Sequence, residues 1–413
     1  MSTGKKKLSL AGWIFIALLL GCLVGWGLIY VPNGAVFATK YIKPIGTIFV
    51  NLLKFIVVPI VLFSMVCGMI SMKDIKKVGS IGWKTMVYYI GTTIVALVIG
   101  LVLANLFKGG FPRLSTEGLG TWDKATSADF MTTLVDIFPS NIVAPFASSS
   151  MLQIIVIALL IGAGIILAGE KGRATAELFE SLNEVFMKVM MFIIKVSPIG
   201  VFCMMAWVVA AQGPEILGDL AKVLGIAYLG YILHAIFTYS ITVRTMGGMS
   251  PIKFFKGMIP AMVFAFSSTS SVATLPINKE CAVKLGASEE ISSFVLPLGA
   301  TINMDGTAVY MAVNTIFLSC CYGMELTIGQ LVMVVVTATL ASIGTAGVSG
   351  AGVVMLAMVL TSVGLPIDGI ALVAGVDRIF DMGRTTVNIT GDAACTMVVS
   401  NMEAKKEVRK ANK

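Results

Sequence analysis

The chain has 413 residues, of which 57% are hydrophobic and 13% charged, and its formal net charge is +8. An ordinary soluble domain carries about 25% charged residues, so this composition predicts a polytopic membrane protein. The basic excess lacks the interleaved aromatics of a nucleic-acid groove, and the sequence has no nucleophile–base pair or phosphate-binding loop. Neither nucleic-acid binding nor an enzyme is therefore expected.

The first part of the chain contains apolar runs close to or above the ~20 residues that cross a hydrocarbon core. These runs are 10–31, 43–71, 82–107, 151–168, 184–211 and 220–243. The first run lacks a small-residue cleavage site, so we interpret it as a retained helix. Lysine and arginine cluster at both ends of the chain and in alternate loops. This pattern predicts a multi-pass protein of the cell (inner) membrane with both termini cytoplasmic.

After Ser250 the apolar runs are interrupted in a repeated pattern. A hydroxyl-rich break at 267–271 precedes a polar break at 303–307, and a glycine-rich break at 342–352 precedes a polar helix. A broken segment followed by a polar-interrupted helix, present twice at similar spacing, is typical of internally repeated transporters. The alternative for 342–352 is a small-residue face for close helix packing.

The polar helix near the C-terminus carries a stripe of residues at helical spacing. The stripe consists of Asp377, Asp381, Arg384, Thr385, Asn388 and Asp392. A charge at the bilayer centre costs at least ~2.5–3.5 kcal/mol on insertion scales, so the stripe must face protein, ligand, ions or water. We therefore predict a binding site in which Arg384 suits a carboxylate and Asp381 an ammonium. An Asp381–Arg384 ion pair within the helix is the alternative.

Amide and carboxylate oxygens recur at Asn303 and Asp305 and again at Asn388 and Asp392. Such hard ligands suit a cation like sodium rather than a transition metal. Two buried carboxylates without lysine neighbours need neutralisation, so sodium binding is predicted, with protonation of Asp305 or Asp392 as the alternative. His234, the only histidine, is interpreted as a satisfied intramembrane polar residue, with a proton relay as the alternative. The seven cysteines are interpreted as small hydrophobic residues.

Five segments carry a resemblance to a known family. They are YYIGTT at 88–93, SSVATLP at 270–276, PLGATINMDGT at 297–307, ASIGTAGVSGAG at 341–352 and DMGRTTVNITGD at 381–392. On these motifs the chain resembles, over nearly its whole length, prokaryotic-type members of the sodium-coupled glutamate/aspartate transporters. This family is also called the dicarboxylate/amino acid:cation symporters.

The resemblance implies an all-α polytopic fold with eight transmembrane helices, two re-entrant helical hairpins and inverted repeats. It also implies a homotrimer in the lipid bilayer that works as an elevator. Residues 1–215 would form mainly the scaffold and trimerisation helices, with the third span, 82–107, assigned to the transport domain. Residues 216–413 would form mainly the transport domain, with hairpins at about 255–290 and 330–363 and broken seventh and eighth helices.

The resemblance also implies the residues that bind an acidic amino acid, aspartate or glutamate. Substrate would contact Ser270, Ser271, Thr307, Val348, Gly352, Asp381, Arg384, Thr385 and Asn388. Family members commonly place an additional arginine near the aspartate that holds the amino group. Thr269 and Met382 stand at its two usual positions here, and Arg378 lies one turn before Met382.

Sodium ions are the implied coupling ions, and no organic cofactor is expected. One sodium would be bound by Gly299, Asn303, Asn388 and Asp392. A second would use Thr301, Ser342, Ile343 and Thr345. A third would use Tyr89, Thr92, Thr93, Asn303 and Asp305.

The predicted function is therefore import of acidic amino acids coupled to sodium. Proton coupling and a C4-dicarboxylate substrate are the alternatives among transporters. A channel is a further alternative, because broken helices with glycine-rich tips also build selectivity filters. The doubled unit of hairpin and polar helix favours alternating access over a channel.

Overall fold

The computed structural model describes residues 10–78, 80–111, 135, 138–148, 150–213, 215–343 and 351–411, and all regular secondary structure in these ranges is helical. The helices of the first part are Leu10–Ile29 (α1), Gly34–Phe37 (α2), Lys43–Val78 (α3), Ser80–Phe107 (α4), Ala144–Ser148 (α5), Met151–Ala168 (α6), Arg173–Gln212 (α7), Glu215–His234 (α8) and Ser240–Thr245 (α9). A π-helical turn precedes α3 at Ala38–Ile42, and another joins α8 to α9 at Ala235–Tyr239. The predicted all-α class is confirmed for the described residues.

Helices occupy each of the apolar runs predicted in the first part of the chain. Among the described residues, three stretches are long and apolar enough to cross a membrane: Gly12–Ile29, Ser80–Gly110 and Leu217–Thr245. A bent pair, Val156–Ile193 and Lys195–Ala211, turns by 44° at its break and gives a fourth stretch if it is one span. Exposed apolar side chains such as Leu106 and Phe192 cover outer faces of this part, as expected where lipid replaces water as the solvent.

The second part of the chain alternates shorter helices with breaks. Its helices are Pro251–Ser268 (α10), Ser271–Lys284 (α11), Glu289–Ile302 (α12), Asp305–Cys321 (α13), Ile328–Ser342 (α14), Ala351–Ser362 (α15), Ile370–Ala374 (α16) and Asp377–Ala411 (α17). Helices α10 and α11 pack on each other and form a helical hairpin, here called the first hairpin. Helices α14 and α15 also pack on each other, and their connection at 344–350 lies outside the described residues. The placement of both pairs in a membrane stays a prediction.

Local backbone chemistry explains the sharp breaks. At the tip of the first hairpin, Thr269 is left-handed, with φ 54°, and Ser270 caps α11 by accepting the Ala273 N–H at 3.2 Å. Serine is a favoured N-cap because its side-chain oxygen satisfies a free helix N–H. The polar break predicted at 303–307 lies at the junction of α12 and α13, where Asn303 is extended, with φ −84° and ψ 105°.

Helix α13 forms the centre of the second part. Its side chains from Asp305 to Ser319 are buried, and it contacts α4, α8, α15 and α17. Gly100 of α4 allows the closest approach, since a Cβ there would lie 2.8 Å from Ala312 Cβ and 3.2 Å from the Val309 backbone. Small residues at such crossings let membrane helices pack closely. This packing brings the polar residues of α4 against the break before α13.

Gly100→Val should therefore lower the melting temperature of the detergent-solubilised protein, because overpacking a tight contact costs ~1–3 kcal/mol. Gly91→Val is the matched control on the same helix, since a Cβ at Gly91 meets nothing within 4 Å. Thermal unfolding followed by intrinsic fluorescence measures both variants. Equal melting temperatures for the two would contradict the proposed α4–α13 contact.

Candidate functional site

The buried guanidinium of Arg384 lies at the centre of a charged cluster on α17. Its Nε is 2.9 Å from Asp381 Oδ1, and its Nη1 is 3.0 Å from Asp377 Oδ1. Its Nη2 is 3.4 Å from the second Asp377 oxygen, so Asp377 is engaged by both terminal nitrogens. The steps of four and three residues put the three side chains on one helix face. The Asp381–Arg384 ion pair, which the sequence left as the alternative, is formed in this conformation.

Two further side chains complete this cluster. Tyr310 presents its ring to the guanidinium, with 4.6 Å from Arg384 Cζ to the ring centroid. Arg378 Nη1 lies 3.9 Å from Asp381 Oδ2. Arg378 therefore reaches the carboxylate near which the resembling family commonly has its additional arginine. Two carboxylates and two guanidinium groups carry no net formal charge together, so the cluster is balanced in charge by its own side chains.

Both helix pairs lie against α17 or its arginine. Gly352, near the start of α15, is so close to Arg384 that a Cβ there would collide with the guanidinium. Asn278 of α11 donates to the Ile389 carbonyl at 3.0 Å and ties the first hairpin to α17. Ser271 is buried at the first residue of α11. The predicted residue Ser271 thus lies on a helix that packs on α17, and Gly352 lies against the guanidinium of the charged cluster.

Asn388 connects α17 to the break before α13. Its Oδ1 accepts the Gly306 N–H at 2.7 Å, and its carbonyl accepts from Asn303 Nδ2 at 2.9 Å. Its own Nδ2 lies 3.4 Å from Thr307 Oγ1. Gly306 is needed here because a Cβ would collide with the Arg384 backbone. The structure therefore brings the predicted residues Thr307 and Asn388 together, with the Thr385 hydroxyl 3.3 Å from Asp381 Oδ1 on the same face.

The predicted first sodium ligands are also gathered. Asn303 Nδ2 donates to Asp392 Oδ1 at 2.9 Å, and a Cβ on Gly299 would lie 2.5 Å from the same carboxylate oxygen. Asn303 Oδ1 is buried, yet no hydrogen-bond donor reaches it from the part of the chain that the structure describes. An acceptor left without a donor is costly, and a cation would satisfy it. The donor set of amide, carboxylate and carbonyl oxygens fits sodium.

The predicted third set is only partly assembled around Asp305. Thr93 Oγ1 lies 2.9 Å and Thr92 Oγ1 3.3 Å from Asp305 Oδ1. The Tyr89 hydroxyl instead donates to the Val295 carbonyl at 3.1 Å, and the Tyr89 carbonyl lies 3.2 Å from the Thr92 hydroxyl. The second oxygen of Asp305 contacts two residues outside the predicted set, a histidine and a tyrosine.

The remaining predicted ligands divide into described and undescribed residues. Thr301 directs its hydroxyl to the Leu298 carbonyl at 2.9 Å, and buried Ser342 directs its hydroxyl to the Thr339 carbonyl at 2.7 Å. Ile343 follows α14 with an extended backbone, φ −79° and ψ 100°. Thr345 and Val348 lie outside the described residues.

Sequence reasoning did not assign His234, Tyr239 and Tyr310 to the site. His234 Nε2 lies 3.1 Å from Asp305 Oδ2, so the partner of the histidine is a buried carboxylate, and its interpretation as a satisfied polar residue stays a prediction. The sequence gives little indication of this contact, because His234 and Asp305 lie on different segments of the chain. Tyr310 could be inferred only from the packing of α13 on α17. Among the described residues no group of three or more His, Cys, Asp and Glu side chains could hold a metal, so a cation at a single carboxylate would also depend on hydroxyl, amide and carbonyl oxygens.

A helical membrane protein that buries paired charges beside two helix pairs and a broken helix has the architecture of a secondary transporter. The sodium:dicarboxylate symporter family matches residues 10–402. The chain therefore belongs to this family of symporters, which are integral membrane transporters and not enzymes.

The relatives of this chain are named for different substrates. It is 35% identical over 407 residues to the proton/sodium-glutamate symport protein of Bacillus caldotenax, covering 96% of this chain and 95% of the relative. It is 35% identical over 417 residues to the proton/glutamate-aspartate symporter of Escherichia coli (strain K12), covering 98% and 95%. It is 31% identical over 397 residues to the C4-dicarboxylate transport protein of Bacillus subtilis (strain 168), covering 94% and 92%.

The contact between α15 and the arginine yields a prediction. Gly352→Ala should sharply reduce substrate uptake by proteoliposomes, because the added methyl group would displace the Arg384 guanidinium. Gly225→Ala is the matched control, since a Cβ there meets nothing within 4 Å. Both variants are first checked for a monodisperse elution profile. Wild-type uptake by Gly352→Ala would show that this contact is not needed for transport.

Proposed function

We propose that this protein is a secondary active symporter that imports acidic amino acids, aspartate or glutamate, together with sodium. The observation that carries the proposal is the charged cluster on α17, in which Asp381 and Arg384 are buried and Asp377 and Arg378 are partly buried. Replacing a buried ion pair by apolar residues is often neutral or stabilising, so such a cluster contributes little to stability. A role in specificity or binding would explain why the chain has it. The cluster supplies both signs of charge, as an amino acid with two carboxylates requires.

Arg384 is the residue that would bind the side-chain carboxylate. Its guanidinium is always charged and has a planar fork suited to two-point binding of a carboxylate. In this conformation the two terminal nitrogens, Nη1 and Nη2, donate to the Asp377 carboxylate. A substrate carboxylate would take the place of Asp377 on the fork, and the exchange of one carboxylate for another conserves the charge around the guanidinium.

Asp381 would bind the α-amino group of the substrate. One of its oxygens accepts from Arg384 Nε and lies near the Thr385 hydroxyl. The other faces Arg378 at 3.9 Å. A substrate ammonium would form a charge-assisted hydrogen bond with this carboxylate. A C4-dicarboxylate has no ammonium, which favours an amino acid over the substrate named for the Bacillus subtilis relative.

Sodium would bind at Asp392 and Asn303. The buried Asn303 Oδ1, which receives no hydrogen bond from the described residues, supports a cation there. The Asp392 carboxylate and the carbonyls of Gly299 and Asn388 would add hard oxygen ligands. Proton coupling is the second candidate, and it is supported by the printed names of the relatives from Bacillus caldotenax and Escherichia coli.

We also propose how the protein assembles in the membrane and which helices move during transport. Helices α8–α17 with α4 would form a transport domain that moves as an elevator against the other helices, within a homotrimer in the cell membrane. The contacts of α4 with α13 and α17 support the assignment of α4 to this domain. A spin-label distance measurement between α4 and α1, with and without substrate, would test the movement.

Replacement of Asp381 separates the two substrate classes. Asp381→Asn should weaken aspartate binding about ten- to hundredfold, since a hydrogen bond to a charged group contributes ~1.5–3 kcal/mol. Succinate, which has no ammonium, should lose much less. Asp377→Asn is the matched control, because it also removes an Arg384 partner and should affect both ligands alike. Isothermal titration measures the affinities, and equal wild-type affinities for succinate and aspartate would rule out the amino-group role.

Replacement of Asp392 tests the sodium assignment. Sodium must raise substrate affinity by the same factor by which substrate raises sodium affinity. Asp392→Asn should therefore raise the sodium concentration that gives half-maximal aspartate binding, while the preference for aspartate over succinate is kept. Glu403→Gln is the control on the same helix, where Glu403 pairs with Lys84. A sodium titration unchanged from wild type would remove Asp392 from the cation site.

A further inference from the structure

The carboxylate of Asp305 differs from that of Asp392 in the donors that surround it. Asp305 is fully buried at the first residue of α13. Its Oδ1 faces the hydroxyls of Thr93 and Thr92, and its Oδ2 faces His234 Nε2 at 3.1 Å and the Tyr239 hydroxyl at 2.8 Å. Both oxygens of this carboxylate are therefore engaged by protein donors.

A local irregularity of the backbone makes this double contact possible. His234 and Tyr239 are five residues apart, and in a regular α-helix their side chains would point about 140° away from each other. The segment Ala235–Tyr239 is a π-helical turn instead, in which hydrogen bonds run from residue i to i+5. The two rings consequently meet edge to face, with centroids 4.9 Å apart. Single π-helical turns inside α-helices are rare, and those that occur are often found at functional sites.

The ionised carboxylate of Asp305 determines which nitrogen of His234 carries the hydrogen. Thr238 Oγ1 lies 3.2 Å from His234 Nδ1, and a carboxylate can only accept hydrogen bonds. The consistent assignment has the Thr238 hydroxyl donating to Nδ1 and the Nε2–H donating to Asp305 Oδ2. The positive end of this N–H dipole points to the position from which a cation would approach Oδ2.

We propose that His234 is a coupling-specificity residue whose Nε2–H takes the place of a coupling cation at Asp305. The predicted third sodium set then binds no sodium in this chain, while Asp392 and Asn303 keep theirs. This inference rests on the proposed sodium symport. It agrees with the side chain of Tyr89, whose hydroxyl is directed to the Val295 carbonyl.

The Tyr239 hydroxyl alone would not keep a cation away from Asp305 Oδ2. This hydroxyl has a single hydrogen and lies near two acceptors, Asp305 Oδ2 at 2.8 Å and the Val387 carbonyl at 3.2 Å. Thr92 likewise lies between Asp305 Oδ1 and the Tyr89 carbonyl. His234 Nε2, by contrast, is directed at Asp305. Removal of the imidazole would open Oδ2 and leave space beside it for a cation.

The test counts the sodium ions transported with each substrate molecule. Wild type, His234→Ala and His234→Gln are reconstituted in proteoliposomes, and the zero-flux potential at fixed gradients gives the stoichiometry. His234→Ala should transport about one more sodium per aspartate than wild type and bind aspartate with a steeper sodium dependence. His234→Gln, whose amide keeps an N–H donor, should retain the wild-type value. Tyr88→Phe is the control, since it removes a 2.9 Å contact with Thr242 that does not involve Asp305.

Each outcome decides a separate question. Equal stoichiometry in wild type and His234→Ala, or an equal rise in His234→Ala and His234→Gln, would overturn the role of the N–H donor. If His234→Ala does not elute as a folded protein, His234→Val, which also lacks an N–H donor, replaces it, with a rise expected and an unchanged value overturning the proposal. Aspartate uptake by wild type that needs no sodium would overturn the proposed sodium coupling itself. That result is distinguishable because it does not depend on any His234 variant.

Discussion

The rest of the site depends on one constraint, the burial of a guanidinium that cannot lose its charge. Arg384 is 2% exposed, so its charge must be balanced by groups fixed in the protein. Asp377 and Asp381 balance it along α17, Tyr310 covers its face from α13, and Gly352 leaves room for it on the side of α15. In the proposed site a ligand would exchange with these partners, which would make the site selective for charge before any contact with the rest of the ligand is considered.

The break between α12 and α13 gives two buried carboxylates different surroundings. Because Asn303 leaves the helix, its amide reaches Asp392 and the Asn388 carbonyl while its Oδ1 stays without a donor from the described residues. Asp305 begins the next helix and is held by donors from α4 and from the π-helical turn after α8. Similar carboxylates can thus have different roles, one open to a cation and one closed by internal hydrogen bonds.

Residue spacing predicted much of this arrangement. The stripe from Asp377 to Asp392 and the breaks at 267–271 and 303–307 follow from helical periodicity and from the cost of charge in a membrane, and the structure has them. The contact between His234 and Asp305 could not be predicted, because the two residues lie on different segments and meet only where α8 packs on α13. The double engagement of Arg384 by Asp377 was also missed. The spacing of residues shows which side chains share a helix face. It does not show which of several buried carboxylates the guanidinium binds.

The most direct test of the central claim is uptake into proteoliposomes with sodium and proton gradients imposed separately. Labelled aspartate and succinate are supplied outside, with choline replacing sodium and the internal and external pH equal when only sodium is varied. We expect an inward sodium gradient alone to accumulate aspartate above its external concentration and to accumulate succinate far less. Accumulation driven by a proton gradient without sodium, or equal accumulation of succinate, would contradict the account of the charged cluster and its cation.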